Sequence, residues 1–576
     1  MVRNSYECFN LFYAIKNGTA EFEGVTNETL WSTGWEWTGP IARLKSHVPR
    51  DTITAMTYQG CLKLCGAESE LNTPAAALIL ITTWIFPLSI IFSLPYDSLH
   101  EMKLWGTLGS VSNWLGSPQT AMTAATFNFD QIRDCHRRAG RGLSEDTYYI
   151  LSCFNQFLLP KQSDSSELDG KFVATLIYGL FRPLRDGNLN QKNLDIEYTR
   201  QLVGLLASQL RILRRRGVIP MMLSLGTFLV AAIISVYLAF GDAGEGPDST
   251  SLTFGLVYCW VPMLVICTII DRNPVSSDRT RELMSRWLFN VEAVRQWKIG
   301  GAQDNTQPVW WRGTRGPNTN GQQQEILLDD DMPDKFKVGE FIGQGRQMHY
   351  CGLTSAVLSC SPVEPEKIND NNIAEPLGQY ERLATRVLKR LKGRRPREWW
   401  ISAFFSFFLV MTPLFMAFLT AFVSPTAGIG CWSGSILMFA ILSSVNWVVS
   451  LCNASPGLKM RIFCYLVNLV AILFLLFFTG LVLSGATNNC YCNTTWFAYP
   501  TSGGYMTFDS SRFVRDNYNV KIPCICAAAC GFTVTLGFFF FEAGWWLKCK
   551  HLWKTNERDK AISASSPVQL DTFWLQ

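Results

Sequence analysis

Cysteine is the residue type whose placement in this chain most readily supports chemistry. Cys8, Cys61, Cys65, Cys490 and Cys492 lie in polar segments, one pair spaced C-x3-C and another C-x-C, while Cys431, Cys524 and Cys526 stand at the ends of apolar stretches. In an oxidising compartment such thiols pair as disulfides, and the first five are the disulfide candidates. The same two spacings could hold zinc, but His47 is the sole histidine in those segments, so disulfides are favoured. The chain has only five histidines, His47, His100, His136, His349 and His551, none at metal-ligand spacing from a cysteine or glutamate, which removes most metal-hydrolase chemistry. Asp329-Asp330-Asp331 precedes Met332-Pro333 and reads as a solvated loop rather than a metal-holding cluster. Gly343-Gln344-Gly345-Arg346 reads as a turn rather than a phosphate cradle. No catalytic, cofactor-binding or metal-ligating residue is expected, and no cofactor is implied.

These residues must be positioned by apolar helices. Seven stretches, 75–94, 218–240, 251–270, 400–423, 430–452, 462–485 and 522–547, approach the ~20 residues needed to cross ~30 Å of hydrocarbon. Hydrophobic residues make up 48% and charged residues 17%, below the ~25% usual for soluble domains. The expected fold class is therefore all-α, a polytopic membrane protein with about seven transmembrane helices. Ionisable groups are nearly absent from the spans: Asp271 and Glu542 lie toward their ends, and Asn446 and Asn468 are the notable amides. That scarcity counts against a proton- or sodium-coupled transporter. Kinks are expected at Pro87, Pro262 and Pro413.

Charge sets the orientation. One side of the zigzag carries Arg3, Lys16, Arg43, Lys45, Arg50, Lys63, Arg512, Arg515 and Lys521, and the remainder of the 51 Lys and Arg fall on the other. The positive-inside rule makes the second side cytosolic, with the N-terminus outside and the C-terminus inside. The expected organisation is an exoplasmic tail 1–74, transmembrane helix 75–94, a cytosolic amphipathic-helical segment 95–217, two spans within 218–270, a cytosolic segment 271–399, four spans within 400–547 with an outer loop 486–521, and a cytosolic tail 548–576. Residues 1–20 lack a charged start followed by an apolar run, so no cleavable signal peptide is expected. Asn17, Asn27 and Asn493 open glycosylation sequons on the exoplasmic side, and a fourth at Asn453 falls in a cytosolic turn and is expected to be silent.

In the cytosolic segments, Glu145 to Leu158 and Leu194 to Leu213 have helical apolar spacing. Asp278 is the expected N-cap of a helix whose Leu283, Met284, Trp287, Leu288, Val291, Val294 and Trp297 share one face, set against the bilayer or the inner mouth of the bundle. The stretch 298–375 reads as loop. Over 377–397, apolar residues recur at helical spacing while Arg382, Arg386, Lys389, Arg390, Lys392, Arg394, Arg395 and Arg397 supply positive charge. A basic amphipathic helix beside a span attracts anionic lipid headgroups at about 1 kcal/mol per charge, and the same charges also enforce topology.

At Gly60-Cys61-Leu62-Lys63-Leu64-Cys65-Gly66, at Arg272-Asn273-Pro274 through Trp287 and Trp297, and at Phe341-Ile342-Gly343-Gln344-Gly345-Arg346, the chain resembles a set of uncharacterised multi-pass membrane proteins of filamentous fungi. That resemblance implies a fungal membrane protein and carries no activity or binding residues. Two functional classes remain open. The favoured one is a receptor-like or scaffolding protein of the plasma membrane or another secretory-pathway membrane, with cytosolic protein partners and no nucleic acid. Its topology matches that of G-protein-coupled receptors, but the long segments after spans one and three break their even spacing. The alternative is a channel or facilitator for an uncharged solute, lined by Asn446, Asn468, Gly480 and Gly531, where the same polar groups could equally be inter-helix glue.

Overall fold

The computed structural model describes residues 5–30, 32–37, 55–66, 71, 81, 111–140, 142–159, 166–185, 194–214, 218–240, 249–271, 276–299, 336–339, 341, 352–360, 376–392, 395–423, 428–452, 458–494, 505–507 and 518–549. They form three contiguous regions: a disulfide-stapled cap, an apolar helix bundle and a helical base.

The bundle accounts for the membrane character. Among the described residues, five helical stretches are long and apolar enough to span: Leu252–Ile270, Arg397–Val423, Cys431–Cys452, Ile462–Ser484 and Ile522–Cys549. Helix Val218–Phe240 adds a shorter described apolar run, Leu225–Tyr237. The expected first span, 75–94, and its Pro87 lie outside the described residues. Phe404, Phe408 and Phe415, with Leu469, Leu473, Leu476 and Phe477, remain exposed on the outside of the bundle. An apolar surface of that extent is stable only against lipid or protein, and on helices long enough to span it is the face of an integral membrane protein.

Leu252–Ile270 differs from the rest because every residue in its apolar window is buried. It is not one uninterrupted helix. Ser249–Val257 ends in a turn at Tyr258–Trp260, and Val261–Ile270 restarts with Pro262 in its first turn, where a missing N–H costs nothing. Pro413, by contrast, is carried inside helix Arg397–Val423.

The cap joins distant pieces of sequence. Strand Ala55–Thr57 pairs antiparallel with Tyr505–Thr507, and helix Tyr58–Cys65 follows at once, its first turn capped by Thr57, whose Oγ accepts from the Gly60 N–H at 3.1 Å. Phe12, Ile15, Leu30, Trp35, Met56 and Leu64 fill its core. Gly60 passes so near the Trp35 carbonyl that a Cβ would lie 2.7 Å from that oxygen.

Helices Leu143–Phe154, Ser166–Arg185, Leu194–Ile212, Ser277–Ile299, Leu353–Ser359 and Pro376–Lys392 build the base around one apolar core. Trp287 is at its centre, its indole N–H donating to the Leu202 carbonyl at 3.1 Å, and Gly179 leaves room for the ring. Ion pairs tie the helices together: Arg182 with Asp195 at 3.3 Å, both buried, Arg211 with the half-buried Asp146 at 2.6 Å, and Arg295 with the exposed Glu381 at 2.6 Å.

Several expectations shift here. The face of Leu283, Met284, Trp287, Leu288, Val291 and Val294 packs inside the base rather than against the bilayer, because the neighbouring helices also present apolar stripes. The cap of that helix is Ser276, whose Oγ accepts from the Arg279 N–H at 3.4 Å, while Asp278 falls in the first turn. Of the stretch read as loop, residues 353–359 are helical and the Gly339 N–H donates to the Leu158 carbonyl at 3.1 Å; Asp329–Asp331, Gly343 and Gly345 lie outside the described residues.

Candidate functional site

The feature that most constrains function is a polar helix inside the apolar bundle. Pro118–Arg138 reads PQTAMTAATFNFDQIRDCHRR, too polar to register as a span, and sequence reasoning assigns it to the cytosolic segment 95–217. Its N-terminal two-thirds is nonetheless buried among the spans. Residues 111–116 are helical, Ser117 breaks the axis at φ −146°, and Pro118 restarts it.

Polar groups on facing helices make this burial affordable. Ser117 Oγ donates to the Ser443 carbonyl at 3.0 Å, and Gln119 Nε2 donates to Ser443 Oγ at 3.0 Å. Trp447 Nε1 donates to Thr123 Oγ1 at 3.2 Å, and the Thr126 and Ser406 hydroxyls lie 2.6 Å apart. Ser402 Oγ donates to Asp130 Oδ2 at 3.1 Å. Residues 119, 123, 126 and 130 recur at helical spacing, so they form one stripe against helices Arg397–Val423 and Cys431–Cys452. At the broken end a ladder of amides crosses three elements: Asn446 Nδ2 donates to Asn468 Oδ1 at 3.0 Å, and Asn468 Nδ2 donates to Asn113 Oδ1 at 3.2 Å. Gly116 lies against Asn468, where a Cβ would come within 2.7 Å of its carbonyl oxygen.

The other end of the helix reaches the base. Asn128 Nδ2 donates to Asp271 Oδ1 at 3.3 Å and its Oδ1 accepts from Asn155 Nδ2 at 2.9 Å. Asn155 Oδ1 in turn accepts from the Thr354 N–H, and Gln131 Oε1 accepts from the Ser355 N–H. Nearby in the bundle, wholly buried Glu542 accepts from the Cys267 thiol at 3.1 Å. The helix thus makes hydrogen bonds to spans along one face and to the base at its far end. It offers a continuous polar connection between them rather than an assembled nucleophile and base.

Asn446 and Asn468, candidate pore-lining groups, are bonded to each other. Gly480 faces open space, whereas Gly531 lies against the Leu256 side chain. The cysteines Cys8, Cys61, Cys65, Cys490 and Cys492 are all drawn into the cap, joined as Cys8–Cys65, Cys61–Cys490 and Cys431–Cys492. Cys524, buried, and Cys526, exposed, form no disulfide among the described residues. Asn17 and Asn27 are exposed on the cap; the Asn493 side chain and Asn453 lie outside the description.

The basic helix is shorter than expected, Pro376–Lys392, and its Tyr380, Leu383, Ala384, Val387 and Leu388 are buried in the base. Its apolar face is therefore already covered by protein. Arg382, Arg386, Lys389 and Arg390 remain exposed, as does Arg397; the Lys392 side chain and Arg394 lie outside the description. Arg395 turns inward, stacking 4.0 Å from the Trp399 ring and donating to the Ser450 and Leu451 carbonyls at the end of helix Cys431–Cys452. Capping a helix C-terminus with a cation is favourable in its own right, so Arg395 is committed within the protein. No protein-family model, no curated protein and no solved structure matches this chain.

Proposed function

We propose that the protein is a receptor-like or scaffolding membrane protein in which the Pro118–Arg138 helix couples the spans to the base. In this reading there are seven spans, the cap faces the exoplasm and the base faces the cytosol, within the plasma membrane or another membrane of the secretory pathway. The observation that carries it is the double attachment of one polar helix, to Ser443, Trp447 and Ser406 of the spans and to Asn155, Thr354 and Ser355 of the base. Side-chain bonds that span two packed regions are the kind of element whose shift both regions feel. The exposed sequons and the cysteine pairs of the cap support an exoplasmic address. The exposed Arg382, Arg386, Lys389 and Arg390 support an anionic headgroup contact by charge alone, without insertion.

The orientation is tested by replacing Asn17, Asn27 and Asn493 together. The endoglycosidase-sensitive mobility shift is expected to vanish, and modification at Asn453 instead would reverse the topology. Coupling is tested by hydrogen exchange on the full chain in lipid nanodiscs, with an antibody fragment raised against the cap. Exchange in Pro118–Arg138 and Leu353–Ser359 is expected to change on binding, and Asn128→Leu is expected to confine the change to the spans. A second reading, a facilitator of uncharged solutes, rests on two buried polar atoms with no hydrogen-bond partner among the described residues, Gln119 Oε1 and Trp114 Nε1, which a small polar guest would satisfy. Glycerol or urea flux in proteoliposomes would favour it over coupling.

A further inference from the structure

Four sulfurs of the cap form a single cluster. Cys61 and Cys65 stand one turn apart on helix Tyr58–Cys65, Cys8 reaches in from helix Ser5–Lys16, and Cys490 from the short helix Cys490–Asn493. They are joined as Cys8–Cys65 and Cys61–Cys490, and the two bridges touch, with Cys61 Sγ 3.7 Å from Cys65 Sγ. The sulfurs of Cys61, Cys65 and Cys490 all lie within 4.8 Å of one another. A tetrahedral thiolate site with zinc–sulfur bonds of about 2.3 Å has sulfur–sulfur edges of about 3.8 Å, a spacing that Cys61 and Cys65 already have across the two bridges. Sequence spacing alone pairs the C-x3-C with Cys492, but Cys492 is joined to Cys431 and Cys8 takes its place.

We infer that, once both bridges are reduced, Cys8, Cys61, Cys65 and Cys490 bind one zinc-class d10 cation as a tetrahedral four-thiolate site. Reduction consumes two equivalents of a dithiol, or two of a phosphine together with two waters. The four electrons and four protons taken up break the two S–S bonds and give four thiols, and the reductant leaves as the corresponding disulfide or phosphine oxide. Metal binding then moves no electrons: the four thiols become thiolates and release their protons as four metal–sulfur bonds form. The same four side chains close the cap in either state, by covalent bridges in an oxidising compartment and by metal in a reducing one.

The test uses the full chain in detergent, reduced anaerobically with a phosphine, freed of excess reductant and titrated with Co2+ and then Zn2+. One Co2+ per chain is expected, with the thiolate charge-transfer and tetrahedral ligand-field bands of a four-sulfur site, displaced by one Zn2+. Cys8→Ser and Cys490→Ser should each weaken the metal at least about tenfold, whereas Cys431→Ser should leave it in place. The wild-type spectrum does not depend on any variant folding. A reduced wild-type protein that shows no charge-transfer band and whose four thiols all react with a disulfide reagent in the presence of Zn2+ would overturn the inference. Metal lost in Cys431→Ser but kept in Cys8→Ser would overturn it too.

Discussion

Replacing Asn468 with leucine keeps the side-chain volume close while deleting both hydrogen bonds of the amide ladder. The lost bonds are the 3.0 Å contact from Asn446 and the 3.2 Å contact to Asn113. Hydrogen bonds between membrane helices average about 0.6 kcal/mol and reach about 1.7, so two of them predict a loss of about 1–3 kcal/mol. At about 1.4 kcal/mol per factor of ten, the folded-to-unfolded ratio should fall between roughly fivefold and a hundredfold. The assay is reversible unfolding in mixed micelles, titrated with a denaturing detergent and followed by tryptophan fluorescence. Total destabilisation alone would not identify the bond, since leucine also alters packing. The decisive measurement is a double-mutant cycle with Asn446→Leu, which should show a coupling of about 0.6–1.7 kcal/mol. Single and double variants that add to within about 0.3 kcal/mol would show that the two amides do not bond and that the ladder has another arrangement.

Three further substitutions have outcomes set by their surroundings. Gly116→Ala places a Cβ 2.7 Å from the Asn468 carbonyl oxygen and 3.0 Å from its Cα, so two helices must separate, at a cost of about 1–3 kcal/mol in the same unfolding assay. Gly480→Ala, with nothing within 4 Å, should instead gain up to about 1 kcal/mol from helix propensity, and equal effects at the two sites would refute the close approach. In the base, burial and then the neighbouring Asp195 carboxylate push the Tyr178 phenol well above its usual range. Because the folded state holds that proton more tightly, its stabilising effect is complete below the unfolded value of about 10 and is lost as pH rises further. Thermal unfolding of the base between pH 9 and 11 should therefore steepen in the wild type and be flatter in Tyr178→Phe.

The apolar spans and most of the helices in the base were legible because each writes one strong period into the sequence. Leu194 to Leu213 differs from the observed Leu194–Ile212 by a single residue, and 400–423 falls inside Arg397–Val423. The polar helix Pro118–Arg138 was hidden for the opposite reason. Hydropathy scores a threonine or glutamine as if water were its only partner, whereas the Thr123 hydroxyl accepts from Trp447 and the Gln119 Nε2 donates to Ser443, residues more than 300 positions away. A local signal existed all the same: Ser117-Pro118 opens a helix, and Ala121, Ala125, Thr123 and Thr126 repeat small residues at helical spacing, as closely packed membrane helices do. For the basic helix, charge and amphipathicity were read correctly from Arg386 and Val387. What covers the apolar face depends on the rest of the chain, and the base supplied that cover.

The Cys61–Cys490 bridge joins residues 429 positions apart. A ribosome adding about 5–20 residues per second needs roughly 20–90 s to make the intervening chain. Throughout that interval Cys61 has no final partner, although Cys65 stands one turn away on the same helix. The Cys61 half of the cap is thus made before the bundle and is completed only after it. A cellular inspection that recognises open thiols on this tail would in effect be asking whether nearly the whole bundle has been made and inserted.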